Sequence, residues 1–256
     1  MKVINTYNES ELHATLKKLY ALETGGACEA QIGGTNWICD VVAADGSVVE
    51  IQTENISALA QKAAFLLEHG RAVKIVRPVL FETTIETVGA DGAVLSRRKS
   101  PKKSTVYSVL RGLTKITPLL EDEKLTIEIL YVRATETRRT TAEKAQLLNR
   151  SRRHLKNWIP GGKRLEEILK VQQFSGTESW RRLFPPSLGG EFTRQELYDA
   201  LFRSDFLIGD LIGGTFSGTN RRSAAKWFTL LIWLGKKCGL IEECGKKGRS
   251  VLFRMK

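Results

Sequence analysis

Two carboxylates and an amide stand out by type and spacing: Asp40, then the pair Glu50-x-Gln52. They fall on two short β-like runs, 37–42 and 48–53. An acid on one strand followed by an acid-x-polar pair on the next is a metal-site pattern. Mg2+, or Mn2+ in its place, takes hard oxygen ligands, and such a cation activates water and offsets developing charge in phosphodiester hydrolysis. Glu50 and Gln52 are two residues apart and share a face. Asp40 joins them only if it lies opposite Glu50. A two-residue Asp45-Gly46 turn would pair Asp40 with Ile51 and send it to the other face. A three-residue Ala44-Asp45-Gly46 loop pairs it with Glu50 and puts Gly46 at the left-handed position such loops require. The sequence permits this register without forcing it. Plainer readings stand beside the sharp one: Asp40 as a solvated hairpin acid, Gln52 as an edge hydrogen-bonder. Glu50, amid Val48, Val49 and Ile51, would be costly to bury without a partner.

The elements that must position these residues are legible in outline. Residues 9–22 have helical spacing, with Leu12, Leu16, Leu19 and Leu22 as the apolar stripe and Asn8 as N-cap. On that helix Glu9 and His13 lie 40° apart and flank Leu12 and Leu16. Both can reach over a sheet toward the acids, with Lys17 one turn beyond. Glu9 and Lys17 also have the ordinary reading of solvated helix charges, and His13 that of a structural histidine. Runs 28–32, 37–42 and 48–53 are three strands, with Gly33-Gly34 and Asp45-Gly46 between them. Residues 56–68 form a second helix, capped by Asn55 and ended by Gly70. A strand over 72–79 follows and stops near Pro78, so the order is α-β-β-β-α-β. A hairpin over 81–88 and 93–98, a short helix over 106–113 and a strand over 124–134 come next.

These residues resemble the PD-(D/E)XK nuclease superfamily, in particular its competence protein CoiA-like branch. There a Ser-x-x-His…Lys helix precedes the acid and Glu-x-Gln replaces Glu-x-Lys. Ser10, His13, Lys17, Asp40, Glu50 and Gln52 match that pattern, and the resemblance covers about residues 8–80. It implies an α+β fold with a restriction-endonuclease-like core and Mg2+-dependent endonuclease activity. Asp40 and Glu50 would hold metal, Gln52 would position water, and Glu9, His13 and Lys17 would complete the catalytic set. Gln52 departs from the usual lysine, because an amide can hydrogen-bond but carries no charge. Cys39 stands where a proline is usual.

Charge points to a polyanionic partner. The net charge is +12, yet residues 1–133 carry 16 Lys+Arg against 16 Asp+Glu. The whole excess lies in the second half, where it attracts nucleic acid and speeds encounter. We expect DNA as that partner. A solubilising surface is the plain alternative. A homodimer or a protein partner is compatible with the sequence.

We expect three regions: a nuclease-like domain over 1–134, a basic helical linker over 135–190 with a helix at 142–158, and a winged-helix-like domain over 191–256. In the last, helices precede a hairpin with Gly245-Lys246-Lys247-Gly248-Arg249 as its tip. Arg221, Arg222 and Lys226 on the last helix and Lys246, Lys247 and Arg249 on the wing are candidate phosphate contacts. Arg97, Arg98, Lys102 and Lys103 form another candidate group. Trp227 and Trp233 read as core. The four cysteines form no C-x-x-C pair and are expected as free thiols. No phosphate-cradling glycine motif or nucleophile elbow is present. The absence of an apolar N-terminal core or an 18-residue apolar run leads us to expect a cytoplasmic chain with no membrane partner. The competing reading to an endonuclease is a nuclease-like DNA-binding regulator or assembly subunit without catalysis.

Overall fold

The computed structural model describes residues 10–33, 35–102, 104–147, 155–202 and 221–256, apart from the side chains of 221–224. Glu9 and Lys103 and the side chains of Arg221 and Arg222 lie outside what is described.

The chain opens with helix α1, Glu11–Thr24. Ser10, not Asn8, is its N-cap and accepts from the His13 amide, and Gly25 closes it in the left-handed conformation. Leu12, Leu16 and Tyr20 form the buried stripe, while Leu22 is 83% exposed. The buried stripe therefore continues from Leu16 to Tyr20, and Leu19 and Leu22 of the expected leucine repeat lie exposed. Strands β1 (Ala27–Gln31), β2 (Ile38–Val42) and β3 (Val48–Ile51) form an antiparallel meander. A 3-10 turn capped by Asn55 leads into α2, Ala60–Glu68. Strand β4, Val73–Val88, then pairs parallel to β3. The α-β-β-β-α-β order is present.

β4 does not stop at Pro78. β3 ends opposite Val76, so the side of β4 on which Pro78 lacks a donor has no strand there to receive one. Further along, the same edge of β4 takes up β5, Val94–Lys99. The other edge pairs parallel with β6, Leu125–Gln146, which pairs antiparallel with β7, Leu155–Ser175. The sheet order is β1-β2-β3-β4-β6-β7, with β5 on β4. The helical linker expected at 135–190 is thus corrected. Residues 135–146 continue β6, and residues 155–175 form β7. Past Thr135, which is buried, residues 136–141 are half-buried or exposed, so the apolar alternation that marks a half-buried strand is missing.

The two faces carry separate cores. On one, Leu12, Leu16 and Tyr20 of α1 pack on Val41, Val49, Ile51, Val76, Leu130 and Val132. On the other, Ala63, Leu66 and Leu67 of α2 pack with Cys39, Val48, Ile75 and Ile127, and this core runs on through the 3-10 segment Val106–Leu113 to the C-terminal elements. Those are β8 (Glu191–Thr193), α3 (Arg194–Phe202), α4 (Arg221–Lys237), β9 (Ile241–Lys247) and β10 (Ser250–Met255). The three strands form a sheet in the order β8-β10-β9. Phe228 of α4 meets Tyr107 edge-on at 5.9 Å and also touches Tyr198 and Phe202. Trp227 and Trp233 pack against this core as half-buried residues. The fold is α+β, and among the described residues no helix is long and apolar enough to cross a membrane.

Because Phe228 joins the C-terminal elements to the main sheet, Phe228→Ala should cost about 3–5 kcal/mol. The loss should shift the unfolding of the β4–β6 sheet along with the C-terminal region. Hydrogen exchange against denaturant checks this: an unchanged β4–β6 core with a loosened C-terminus would contradict the shared core.

Candidate functional site

The Ala44-Asp45-Gly46 loop decides the register around the acids. The Gly46 amide donates to Ala43 O, the Ala43 amide donates to Ser47 O, and Gly46 has φ +83°. Val42 pairs with Val48 and Val41 with Val49, so Asp40 and Glu50 occupy the next rung. At that rung the regular ladder gives way to side chains. The Ile51 amide donates to Asp40 Oδ2 at 2.8 Å, and the Asp40 amide donates to Glu50 Oε1 at 3.4 Å.

Being neighbours on a rung does not bring the two carboxylates to one point. Glu50 follows Val48 onto the α2 face, where it is 4% exposed and its Oε1 lies 2.5 Å from Lys62 Nζ. Lys62, 7% exposed, also donates to Ile38 O at 2.5 Å. Asp40 turns to the α1 face, with Oδ2 3.2 Å from His13 Nε2. The pleat of β2 breaks at Asp40: Cys39 belongs to the α2-side core and Val41 to the α1-side core, with one residue between them. Opposite Asp40, Glu29 has φ +53°, a conformation side chains rarely adopt, and the β1–β2 pairing skips this rung. Glu29 in turn holds Lys17 at 2.7 Å, and Lys17 is 7% exposed.

Electrostatics follows this division. Burial raises the Glu50 carboxyl above its ordinary range, and Lys62 only partly offsets that. Burial pushes Asp40 the same way, but bonds from His13 and the Ile51 amide outweigh it and hold Asp40 below its ordinary range. Burial also pushes the Cys39 thiol up to about 11, which keeps it protonated and unreactive. All four cysteines are free thiols.

Of the sequence candidates, the structure joins His13 to Asp40 and sets Glu50 one rung away. Lys17 is drawn off to Glu29. Gln52 is not at the site: its Oε1 accepts from the Glu54 amide at 3.2 Å in a local turn. A divalent ion shared by Asp40 and Glu50 needs both carboxylates at one point, and here each already faces a base on a different side of the sheet. Among the described residues no three His, Cys, Asp or Glu side chains gather at ligating range. As arranged, these residues do not fit a shared ion.

Lys62 was missed from the sequence, although a signal was there. Leu59, Lys62, Ala63 and Leu66 follow one helical stripe, and a lysine on an apolar stripe requires a buried acid. A second buried carboxylate was also missed. Glu128, 3% exposed, accepts from the Tyr20 hydroxyl and from Gln173, with Lys74 Nζ at 3.5 Å. No local pattern marks it, since its partners come from α1, β4 and β7.

The basic candidates are dispersed. Arg97 and Arg98 lie exposed on edge strand β5, with Arg97 Nε 3.5 Å from Glu86, and Lys102 is exposed just beyond. Lys226 is exposed on α4. The β9–β10 turn is Gly248-Arg249. Lys246 and Arg249 are exposed there, whereas Lys247 is held by Glu196 of α3 at 2.8 Å. That contact and the Thr193 amide bring the Glu196 carboxyl down to about 2.

The model of the family described as Domain of unknown function (DUF8091) matches residues 10–175, and the chain belongs to that family. An uncharacterized protein of Treponema pallidum (strain Nichols) is 35% identical over 129 residues, half of this chain and half of that relative. No solved structure matches.

Lys62→Met should leave Glu50 buried without its cation and cost about 3–5 kcal/mol at neutral pH. A carboxyl whose folded pKa is raised favours the folded state more as pH falls through that pKa. The deficit of Lys62→Met should therefore shrink on acidification as Glu50 takes up a proton. Urea unfolding across pH measures it, and a deficit independent of pH would contradict the pairing. Asp40→Asn should show the same direction for the opposite reason. The held-down carboxylate stabilises above its unfolded pKa, so the loss should be full at neutral pH and vanish as pH falls through the folded pKa of Asp40.

Proposed function

We propose that this member of a family of unknown function binds nucleic acid through the cationic surface of its second half, on a sheet of nuclease-like order whose acids serve the fold. One contrast carries the reading. Each buried carboxylate of the core faces its own base: Glu50 with Lys62, and Glu128 with Lys74. By contrast, Arg139, Lys144 and Lys156 of the second half are exposed on β6 and β7 with no ion-pair partner among the described residues, as are Arg98 and Lys99 on the adjoining β5. Charges left free at the surface act on a polyanion, whereas charges spent in the interior do not. The α4–β9–β10 unit, with Lys226, Lys246 and Arg249 exposed, supports a winged-helix-like role in the same binding. DNA is the form the reading favours.

The alternative, a Mg2+- or Mn2+-dependent endonuclease, has one specific observation in its favour. The α-β-β-β-α-β order puts Asp40 and Glu50 on one rung, and the Lys62 ammonium supplies the positive charge that Gln52 lacks. It requires the Asp40–His13 and Glu50–Lys62 contacts to open so that the carboxylates can meet.

Full-length protein titrated against labelled DNA at rising salt should bind, with log K falling linearly against log salt. It should leave supercoiled plasmid intact with added Mg2+ or Mn2+. Failure to bind at low salt would overturn the proposal. Metal-dependent nicking that disappears in Asp40→Asn would install the endonuclease instead.

A further inference from the structure

Beyond the end of β3, β5, β4, β6 and β7 run side by side as a four-stranded extension. One rung reads Arg98, Ile85, Glu136 and Lys163 across the four strands. Two residues along each of the first three strands, another reads Ser96, Thr87, Arg138 and Pro160. Residues two apart share a face, so Arg98, Glu136, Lys163 and Arg138 lie on one surface. Side-chain contacts agree. Arg138 Nη2 is 2.8 Å from Glu136 Oε1, and its guanidinium lies 4.0 Å over the ring of Trp158, which pairs with Thr140 at the next rung of that face. The guanidinium lies over the indole as a cation–π pair, and its Nε also donates to Glu136 Oε1 at 2.8 Å. Arg98 is exposed and Lys163 half-buried on either side of this stack, and neither has an ion-pair partner among the described residues.

From this arrangement we infer that the face holding Arg138 and Trp158 binds single-stranded nucleic acid. A base would stack on the outer plane of the Arg138 guanidinium, and phosphates would meet Arg98 and Lys163. The inference rests on the nucleic-acid reading above and gives it a strandedness. Width decides between single strand and duplex. The outer strands β5 and β7 are three strand spacings apart, about 14 Å before side chains are added. A major groove is about 12 Å wide, enough for a helix or a two-stranded ribbon but not for this sheet. A broad face with a planar cation over an indole suits unstacked bases, which stack on aromatic rings and guanidinium planes without regard to sequence. Net charge on the face is positive: Glu136 is matched by Arg138, and Arg98 and Lys163 remain.

The test uses the full chain with a fluorescein-labelled oligothymidylate, the same strand in duplex form, and intrinsic tryptophan emission. Single strand should bind more tightly than duplex and quench emission, and Trp158→Phe should remove most of that quench. Arg138→Ala should weaken single-strand binding about tenfold. Arg98→Ala combined with Lys163→Ala should flatten the slope of log K against log salt by roughly 1.4, the value for two phosphate contacts on a single strand. Circular dichroism should show each variant folded. Tighter binding to duplex, or variants that bind single strand like the parent chain, would overturn this site while the nucleic-acid reading stands. No binding to either form at low salt would remove both.

Discussion

Parallel pairing of β4 with β6 is the constraint on which the rest is built. It runs from Val73 beside Leu125 to Val88 beside Arg139, with one irregularity between Leu80 and Glu82. Its first half is apolar on both faces, where Ile75, Ile127 and Ile129 meet one core and Val76, Leu130 and Val132 the other. A parallel pair buried on both sides needs helices over both faces, and α1 and α2 supply them. In its second half the same pairing continues through threonines and charges that are mostly half-buried, with Ile85 and Thr135 among the buried exceptions. One ladder is therefore closed core at one end and half-covered sheet at the other.

A core closed on both faces is an expensive place for a charge, and the chain puts two carboxylates there. Glu50 is tolerated because Lys62 reaches it from α2. Glu128 is tolerated because Tyr20, Gln173 and Lys74 surround it. Pairs of this kind fix how a helix sits on a sheet more than they add net stability, since desolvation takes back much of the Coulomb gain. Asp40 differs in being at the margin, with His13 and the Ile51 amide holding it ionised. In three dimensions the two acids reach helices on opposite sides of a two-strand hairpin, Glu50 toward α2 and Asp40 toward α1.

The C-terminal elements are not a detached module. Phe228 and Leu231 of α4 belong to the same core as Leu66 of α2, through Tyr107 and its neighbours in the 3-10 segment. The hairpin at the end of the chain and the four-stranded extension are thus carried on one packed body.

The α1 caps Ser10 and Gly25 were not read from local pattern. That pattern was enough for the order of the first six elements and for the caps at Asn55 and Gly70, and it permitted the Asp40–Glu50 rung without forcing it. Each of these depends on residues a few positions apart, such as the Ala44-Asp45-Gly46 loop with its left-handed glycine. The strands in 135–175 were not legible, because period-two patterning appears only when one face is buried and the other is not. The partners of the acids were not legible either. Whether Asp40 meets His13 or a metal, and whether Glu50 meets Gln52 or Lys62, depends on the helix that covers each face and on a break of the pleat at Asp40. Those are contacts between elements distant in sequence, and burial, which no single segment specifies, decides which charge must find which.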